Sequence, residues 1–325
     1  MSTVSHSPSS ASPHPAPGAP TWGPEQRRQT LWITAGALAV FAALRLIPTG
    51  TNLSHMDFRV DPKAGTAIEF CDPSNPQFIP VVAAKSPVTM SAATDGPPRA
   101  GAAVTVTLTL ATGSGKVIAP EDLLVTHTRR LHVLAIDPTL QDYQHLHPVP
   151  GRMPGQWTFS FTPQRAGTYR LFGDFTPAAT GRGLYASVDL EVAGAAGAAP
   201  AAGAAATEGE VRRGDFVYRL AVRPKPARAG QPVDLAFAIT AAAGGAVPLE
   251  PVMGAYAHLV AFDAARSGFA HLHPMEADPT RAPDAQRPVL TFKLTIPRAG
   301  TYTVWAQLIV AGREEFVPFR LDVAE

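Results

Sequence analysis

The chain has 325 residues and a formal net charge of +1, with 27 Lys and Arg against 26 Asp and Glu. This balance excludes the strong positive field of a nucleic-acid-binding surface, and the length accommodates two ordinary domains with tails. A single cysteine, Cys71, excludes an internal disulfide, so packed cores must stabilise the fold. Its thiol has three interpretations: a buried side chain, an intermolecular bridge or a metal ligand.

The N-terminal region is predicted to be a disordered tail followed by a membrane anchor. Residues 1–30 contain little that could form a core, which predicts disorder. Residues 31–47 form an apolar run of about 17 residues, near the minimum that spans a bilayer. Arg27 and Arg28 precede it and predict a cytoplasmic N-terminus. We expect an uncleaved, single-pass anchor in the inner membrane with periplasmic C-terminal domains; a cleaved signal peptide is the alternative.

The rest of the chain has the pattern of an all-β protein with two domains. Residues 48–84 are predicted as an irregular juxtamembrane segment. Residues 85–192 and 210–325 contain short strands with alternating apolar side chains, such as 104–110, separated by Gly/Pro turns. Residues 193–209 are almost all Ala and Gly, which predicts a flexible linker.

The two domains are predicted to be copies of one module, because four sequence blocks recur in both in the same order. The paired blocks are 99–101 and 228–230, 131–135 and 257–261, 145–148 and 271–274, and 165–169 and 298–302. Each copy fits an immunoglobulin-like or cupredoxin-like β-sandwich. The Gly-Thr-Tyr steps that end at Tyr169 and Tyr302 are typical of a tyrosine corner. We therefore expect two tandem β-sandwiches after an N-terminal transmembrane helix.

Each repeat carries three histidines that could hold a metal ion. The candidate ligands are His132, His145 and His147 in the first repeat and His258, His271 and His273 in the second. A turn near residue 138 would place the first two histidines of a repeat opposite each other, with Cβ atoms about 4.5–5.5 Å apart. The third, two residues further on, projects from the same face. Three neutral imidazoles suit Cu²⁺ or Zn²⁺. We expect copper, with zinc as the alternative, and sites that either act independently across the linker or pass an ion between them.

Other side chains near these motifs could modify the sites. His127 and Met253 each precede the first histidine of their repeat by five residues, and Met275 follows the second His-Leu-His-Pro motif. A thioether ligand would favour Cu⁺ in the second repeat. The structural interpretation of the histidines stays open, since a duplicated domain also copies histidines that only pack in a core.

The His-x-His-Pro motifs and the Ala-Gly-Thr-Tyr sequences of both repeats resemble small exported bacterial domains of immunoglobulin-like or cupredoxin-like fold. These include the YtkA-like type and periplasmic copper carriers. The resemblance covers about residues 85–192 and 212–325 and implies a role with copper. Blue-copper proteins place a thiolate four residues after the corresponding tyrosine, where this chain has Gly173 and Ala306. This departure argues against a type-1 electron-transfer site and favours carriage, buffering or sensing.

No catalytic motif accompanies the histidines. The sequence contains neither Gly-x-Ser-x-Gly nor His-Glu-x-x-His. Asp137, Asp142 and Asp263 fall at predicted turns, where Asp is common for backbone reasons, and Trp157 and Trp305 are predicted core residues. We therefore predict a membrane-anchored metal-binding protein that is not an enzyme. The alternative is a structural module that binds another envelope protein and whose histidines are structural.

Overall fold

The structure is a computed structural model that describes residues 22–46, 53–58, 77–84, 86–194, 209–276, 278 and 280–325. Residues 1–21 of the predicted tail, residues 195–208 of the predicted linker and Cys71 lie outside these ranges. The chain forms two units, Met1–Thr49 and Gly50–Glu325.

The first unit contains helix α1, Pro24–Leu46, which confirms the predicted N-terminal helix. The helix begins within the stretch predicted to be disordered, so that prediction is wrong for residues 24–30. Pro24 is favourable in a first helical turn, where its missing N–H removes no intrahelical bond, and the N–H of Gly23 donates to Oε1 of Gln26 at 3.1 Å. In the part of the chain that the structure describes, no helix combines the length and apolarity that a membrane span requires.

The first repeat is a sandwich of two sheets. Its strands are β1 (Val88–Thr94), β2 (Val104–Thr112), β3 (Leu131–Ile136), β4 (Tyr143–Leu146), β5 (Val149–Pro150), β6 (Gln156–Phe161), β7 (Gly167–Phe175) and β8 (Leu184–Val192). One sheet has the order β1-β2-β6-β5 and the other β4-β3-β7-β8. Side chains along β2 alternate between core and surface, which confirms the predicted half-buried strand. Trp157 lies in this core, as predicted.

The second repeat is also a sandwich of two sheets. Its strands are β9 (Glu210–Arg213), β10 (Phe216–Arg223), β11 (Ala227–Arg228), β12 (Pro232–Ala241), β13 (Leu249–Glu250), β14 (His258–Asp263), β15 (Phe269–Leu272), β16 (Val289–Thr295), β17 (Gly300–Val310) and β18 (Arg313–Ala324). One sheet has the order β16-β12-β10-β9; the other has the order β11-β18-β17-β14-β15, with β13 paired to β17. The prediction of two repeated all-β domains is confirmed.

A tyrosine occupies the same corner in each repeat. The hydroxyl of Tyr169 accepts the backbone N–H of Arg165 at 3.1 Å, and the hydroxyl of Tyr302 donates to the backbone oxygen of Arg298 at 3.0 Å. Both rings lie in the core of their own repeat. Each bond reaches four residues back along the chain, as in the tyrosine corners of β-sandwiches. These corners fix the start of β7 and β17.

The two repeats pack against each other, so β3 is buried on both faces. Its first face lies in the core of its own repeat. The second face, with Leu134 and Ile136, joins an apolar cluster that includes Phe262, Phe269 and Trp305 of the second repeat. Trp305, predicted as a core residue, is thus buried between the repeats. Each repeat thus has a second apolar sheet face, which the other repeat covers together with Ile79 and Val81.

The segment predicted to be irregular and juxtamembrane also packs on the sandwiches. A 3-10 helix at His55–Phe58 places Phe58 in the core of the first repeat. Further along, Phe78 lies in the core of the second repeat and contacts the ring of Tyr302 at 5.4 Å between centroids. Ile79 forms a β-bridge with Phe269. Parts of residues 48–84 therefore belong to the folded body.

Candidate metal centre

The six predicted ligands lie in two equivalent hairpins, one in each repeat. β3 pairs with β4 so that Leu134 faces His145, and β14 pairs with β15 so that Val260 faces His271. The last paired residues are Val133 with Leu146 and Leu259 with Leu272, so the next pair in each hairpin is the first histidine with the third. The expectation that the first and second histidines face each other directly is therefore wrong by two residues.

The loop at the end of each hairpin sets this register. In the first repeat the carboxylate of Asp137 accepts three backbone N–H groups of the loop at 2.7–2.9 Å. In the second, Asp263 accepts the N–H and the hydroxyl of Ser267, both at 2.6 Å. The aspartates thus have the backbone role predicted for them. Because side chains alternate with a period of two, a shift of two residues leaves all three histidines on one face.

Triad 1 consists of His132, His145 and His147. One ring nitrogen of each lies within 4.8 Å of the others. Nδ1 of His132 and Nε2 of His145 are 3.1 Å apart. Two nitrogens bound to one tetrahedral ion at 2.0–2.1 Å are about 3.3 Å apart. The separation therefore fits a shared metal ion.

Triad 2 consists of His258, His271 and His273, again with one ring nitrogen of each within 4.8 Å of the others. His258 is fully buried. Within the described ranges, neither ring nitrogen of His258 has a hydrogen-bond partner, nor does Nε2 of His271, His273 or His147. A buried polar atom without a partner costs about 1–3 kcal/mol. These nitrogens are available to a ligand from outside the chain.

The two triads lie side by side where the repeats meet. The ring centroids of His145 and His271 are 5.1 Å apart. Those of His132 and His271 are 5.8 Å apart, and those of His145 and His258 are 6.4 Å apart. The contacts are reciprocal, because the second histidine of each triad lies near both the first and the second histidine of the other triad. The structure brings all six predicted ligands into one cluster rather than two separate sites.

Each triad receives a hydrogen-bond acceptor from the other repeat. Nδ1 of His145 donates to Oε1 of Gln307 at 2.7 Å, and Nδ1 of His271 donates to Oδ2 of Asp174 at 3.1 Å. Glu314 accepts from Nε2 of Gln307 at 2.6 Å and thereby orients the amide. A histidine that binds a metal ion through one ring nitrogen typically donates the N–H of its other ring nitrogen to such an acceptor, which fixes the tautomer. We call this second nitrogen the outer nitrogen. Gln307 and Asp174 were not identified from the sequence.

These bonds fix the proton positions in triad 1. A carbonyl oxygen only accepts, so Nε2 of His132, which is 3.0 Å from the backbone oxygen of Thr126, carries the hydrogen and Nδ1 does not. The bond to Gln307 likewise places the hydrogen of His145 on Nδ1 and leaves Nε2 bare. The 3.1 Å contact between Nδ1 of His132 and Nε2 of His145 therefore joins two lone pairs when both rings are neutral. A cation between them, either a proton or a metal ion, makes this contact favourable.

Burial opposes the proton. It lowers the pKa of His132, and it lowers the pKa of His147 to about 4. Burial also lowers the pKa of four further imidazoles well below the usual range, and neighbouring histidines add to this effect: His145, His258, His271 and His273. At neutral pH the cluster is therefore uncharged, which is the state in which imidazole binds a metal ion.

One of the additional candidate ligands, His127, contacts the cluster. His127 and Met253 occupy the same position in two equivalent turns, with φ of 48° and 50°. The ring of His127 stacks on that of His273 from the other repeat, with centroids 3.6 Å apart. Met253 is half-buried and Met275 is exposed. His127 is thus the additional candidate in ring contact with a triad.

The fold and the site together define a tandem β-sandwich protein whose two repeats share one histidine cluster. The family described as Domain of unknown function (DUF8832) matches residues 85–194 and 213–325. The chain belongs to this family and carries two copies of its domain. The matched ranges agree with the two repeats predicted from the sequence.

Further comparisons add little to this assignment. No curated protein matches the chain. One similar solved structure is described as "Putative membrane anchored protein from Corynebacterium diphtheriae"; it is 10% identical, with a TM-score of 0.24, over 74% of this chain and 60% of that one. A likeness this low carries no argument about fold or function. The resemblance to the YtkA-like type stays a prediction.

Proposed function

We propose that this protein binds two metal ions, one in each triad, and that copper is the ion it carries, buffers or senses. The observation that carries the proposal is the 3.1 Å contact between Nδ1 of His132 and Nε2 of His145, two nitrogens without a hydrogen because each neutral ring carries its hydrogen on the other nitrogen. A metal ion between them would replace a repulsive contact with two coordinate bonds.

Three further features support a metal ion. The unpartnered nitrogens of triad 2 are buried and therefore costly without a ligand. Gln307 and Asp174 bond to the outer nitrogens of two candidate ligands, as in known metal sites. Burial keeps the imidazoles neutral and ready to coordinate.

The preference for copper rests on the donor set. A site made of imidazole nitrogen suits both Cu²⁺ and Zn²⁺, and the general order of stabilities places Cu²⁺ above Zn²⁺. Each triad supplies three ligands and leaves further positions around the ion for an exchangeable ligand. Exchangeable coordination suits carriage, buffering or sensing rather than a closed structural site.

The test is calorimetric titration of the full chain, in detergent micelles, with Cu²⁺, Zn²⁺ and reductant-maintained Cu⁺. We expect about two ions per chain for the native protein and about one for the His132→Ala/His147→Ala variant. His55→Ala, which changes an exposed histidine outside the cluster, is the matched control. Absence of binding tighter than about 0.1 mM for all three ions would mean that the histidines are structural and that the protein is an envelope interaction module.

Attachment to the inner membrane through residues 31–47, with the sandwiches in the periplasm, belongs to the same proposal. Large apolar side chains on α1, including Leu31, Trp32 and Phe41, are exposed. Burying them in lipid would remove this surface from water. Fractionation of cells that express the full chain tests the anchor: recovery in the soluble fraction contradicts it.

A further inference from the structure

The two triads have similar geometry but different charge in their surroundings. The acceptor for the second histidine is a carboxylate in triad 2, Asp174, and a neutral amide in triad 1, Gln307. The side chains of His271 and Asp174 are 5% and 21% exposed. Solvent therefore screens this pair only weakly, and burial also raises the pKa of the Asp174 carboxyl.

A positive charge adds to the difference at triad 1. Arg129 lies close enough to His132 and His147 for its charge to lower the pKa of both. The turn from Thr126 to Arg129 corresponds to the turn from 252 to 255 in the second repeat, where Ala255 replaces the arginine. Arg129 therefore repels a cation in triad 1, and this repulsion is screened because the side chain is exposed; the equivalent position at triad 2 has no such charge.

Two negative charges act in the opposite direction, and at His132 the effect of Asp174 on the pKa is larger than that of Arg129. Glu314 bonds to the amide of Gln307, but it is exposed and lies one group further from the imidazole. Asp174 also faces His132 in the β3–β7 register, so its charge reaches triad 1 as well. Its hydrogen bond, however, goes to His271 of triad 2.

We propose that the two sites are unequal, and that triad 2 binds a divalent cation first and more tightly because Asp174 of the other repeat makes His271 a stronger ligand. Gln307 has the same position at triad 1 and provides no charge. Both are positioning residues that act through an imidazole. This inference rests on the proposed function, since it needs an ion in each triad.

The order of filling can be measured by calorimetric titration of the full chain with Zn²⁺, which has no redox chemistry. We expect two steps for the native protein. His273→Ala removes the tighter step, and His147→Ala removes the weaker one. Equal affinities, or loss of the tighter step in His147→Ala, overturn the inference while two bound ions still support the proposed function. No binding at all overturns both.

Exchange of the two acceptors tests the cause. Replacement of an outer-shell partner typically changes metal affinity by about 10- to 100-fold. Asp174→Asn should therefore weaken the tighter step by about tenfold or more. Gln307→Glu, made together with Glu314→Gln so that the new carboxylate keeps a hydrogen-bond donor, should strengthen the weaker step. The same change combined with Asp174→Asn should invert the order of filling. Asp174→Glu, which keeps the charge, should recover at least part of the loss.

A measurement other than metal affinity distinguishes an action of Asp174 through His271 from a purely structural role of Asp174. The ring ¹⁵N shifts of His271 in the metal-free protein should move in Asp174→Asn, while those of His147 stay unchanged. Urea unfolding of the metal-free variants shows whether they remain folded. If Asp174→Asn weakens both steps equally, or if Asp174→Glu behaves like Asp174→Asn, the carboxylate does not act through His271 and the inference fails.

Discussion

Replacement of His258 by leucine distinguishes whether this histidine is a metal ligand or a structural residue. His258 is 0% exposed, and neither of its ring nitrogens has a hydrogen-bond partner among the described atoms. A neutral imidazole in this position leaves one donor and one acceptor unsatisfied, each at a cost of about 1–3 kcal/mol. Leucine has a similar volume and no polar atom. We expect His258→Leu to raise the free energy of unfolding of the metal-free protein by about 1–3 kcal/mol, after a discount for imperfect packing.

The assay is urea unfolding of the full chain after treatment with a chelator, followed by tryptophan fluorescence. For a folded body of this size, each 1 kcal/mol corresponds to about 2–4 °C in Tm. His55→Leu, at an exposed position, serves as the control and should change the stability by less than about 0.5 kcal/mol. Added Cu²⁺ should stabilise the native protein more than His258→Leu, because the variant has lost a ligand.

The opposite result would refute the reasoning. If His258→Leu loses more than about 1 kcal/mol without metal, the imidazole is a satisfied structural group. The same conclusion would follow if copper stabilised the native protein and the variant equally. Either outcome would favour the envelope interaction module over the metal-binding protein.

Three further predictions concern stability. The buried histidines have a lowered pKa in the folded protein, so the unfolded chain binds more protons than the folded one below pH 6.5. The free energy of unfolding of the metal-free protein should therefore be highest above pH 6.5 and fall towards pH 4, by up to about 1.4 kcal/mol per pH unit for each histidine. Urea midpoints measured over this range check it, and a flat profile would contradict the burial. Trp305→Ala leaves a cavity between the repeats and should cost about 3–5 kcal/mol by the same assay, whereas a loss below about 1 kcal/mol would mean that the repeats do not depend on this contact. Asp137→Ala removes the acceptor of three backbone N–H groups and should cost about 2–4 kcal/mol, with Asp137→Asn losing less; equal losses would show that the negative charge, not the hydrogen-bonding oxygen, holds the loop.

The repeat and the two hairpins were predictable because they depend on local patterns. Recurrence of four blocks revealed the duplication, and a spacing of two residues placed His145 and His147 on one face of a strand. The register was wrong by two residues because the turn was placed by length alone. The loop is instead shaped by the carboxylate of Asp137, whose several bonds to backbone no alternation pattern reveals.

The sequence did not predict that the two triads form one cluster, because this depends on contacts between residues that are far apart in the sequence. One signal was present: β3 has buried residues at all six positions and reads Leu-His-Val-Leu-Ala-Ile, a nearly continuous apolar run that indicates burial on both faces. Gln307 and Asp174 carried a second signal. Each stands five residues after its corner tyrosine, on the face opposite to the core, and is polar in both repeats. Neither signal identifies which part of the chain covers that face of the sheet.

The exchange of acceptors between the repeats makes each half of the site depend on the other. Each hairpin obtains the partner of its second histidine from the other sandwich, and each sandwich hides its second apolar face against its equivalent. Such an isologous surface is that of a symmetric homodimer. The chain thus holds two copies of one module in the arrangement that two subunits have in a symmetric homodimer. Because both copies lie in one chain, the two halves can differ in sequence where a homodimer cannot, as Asp174 and Gln307 do at equivalent positions.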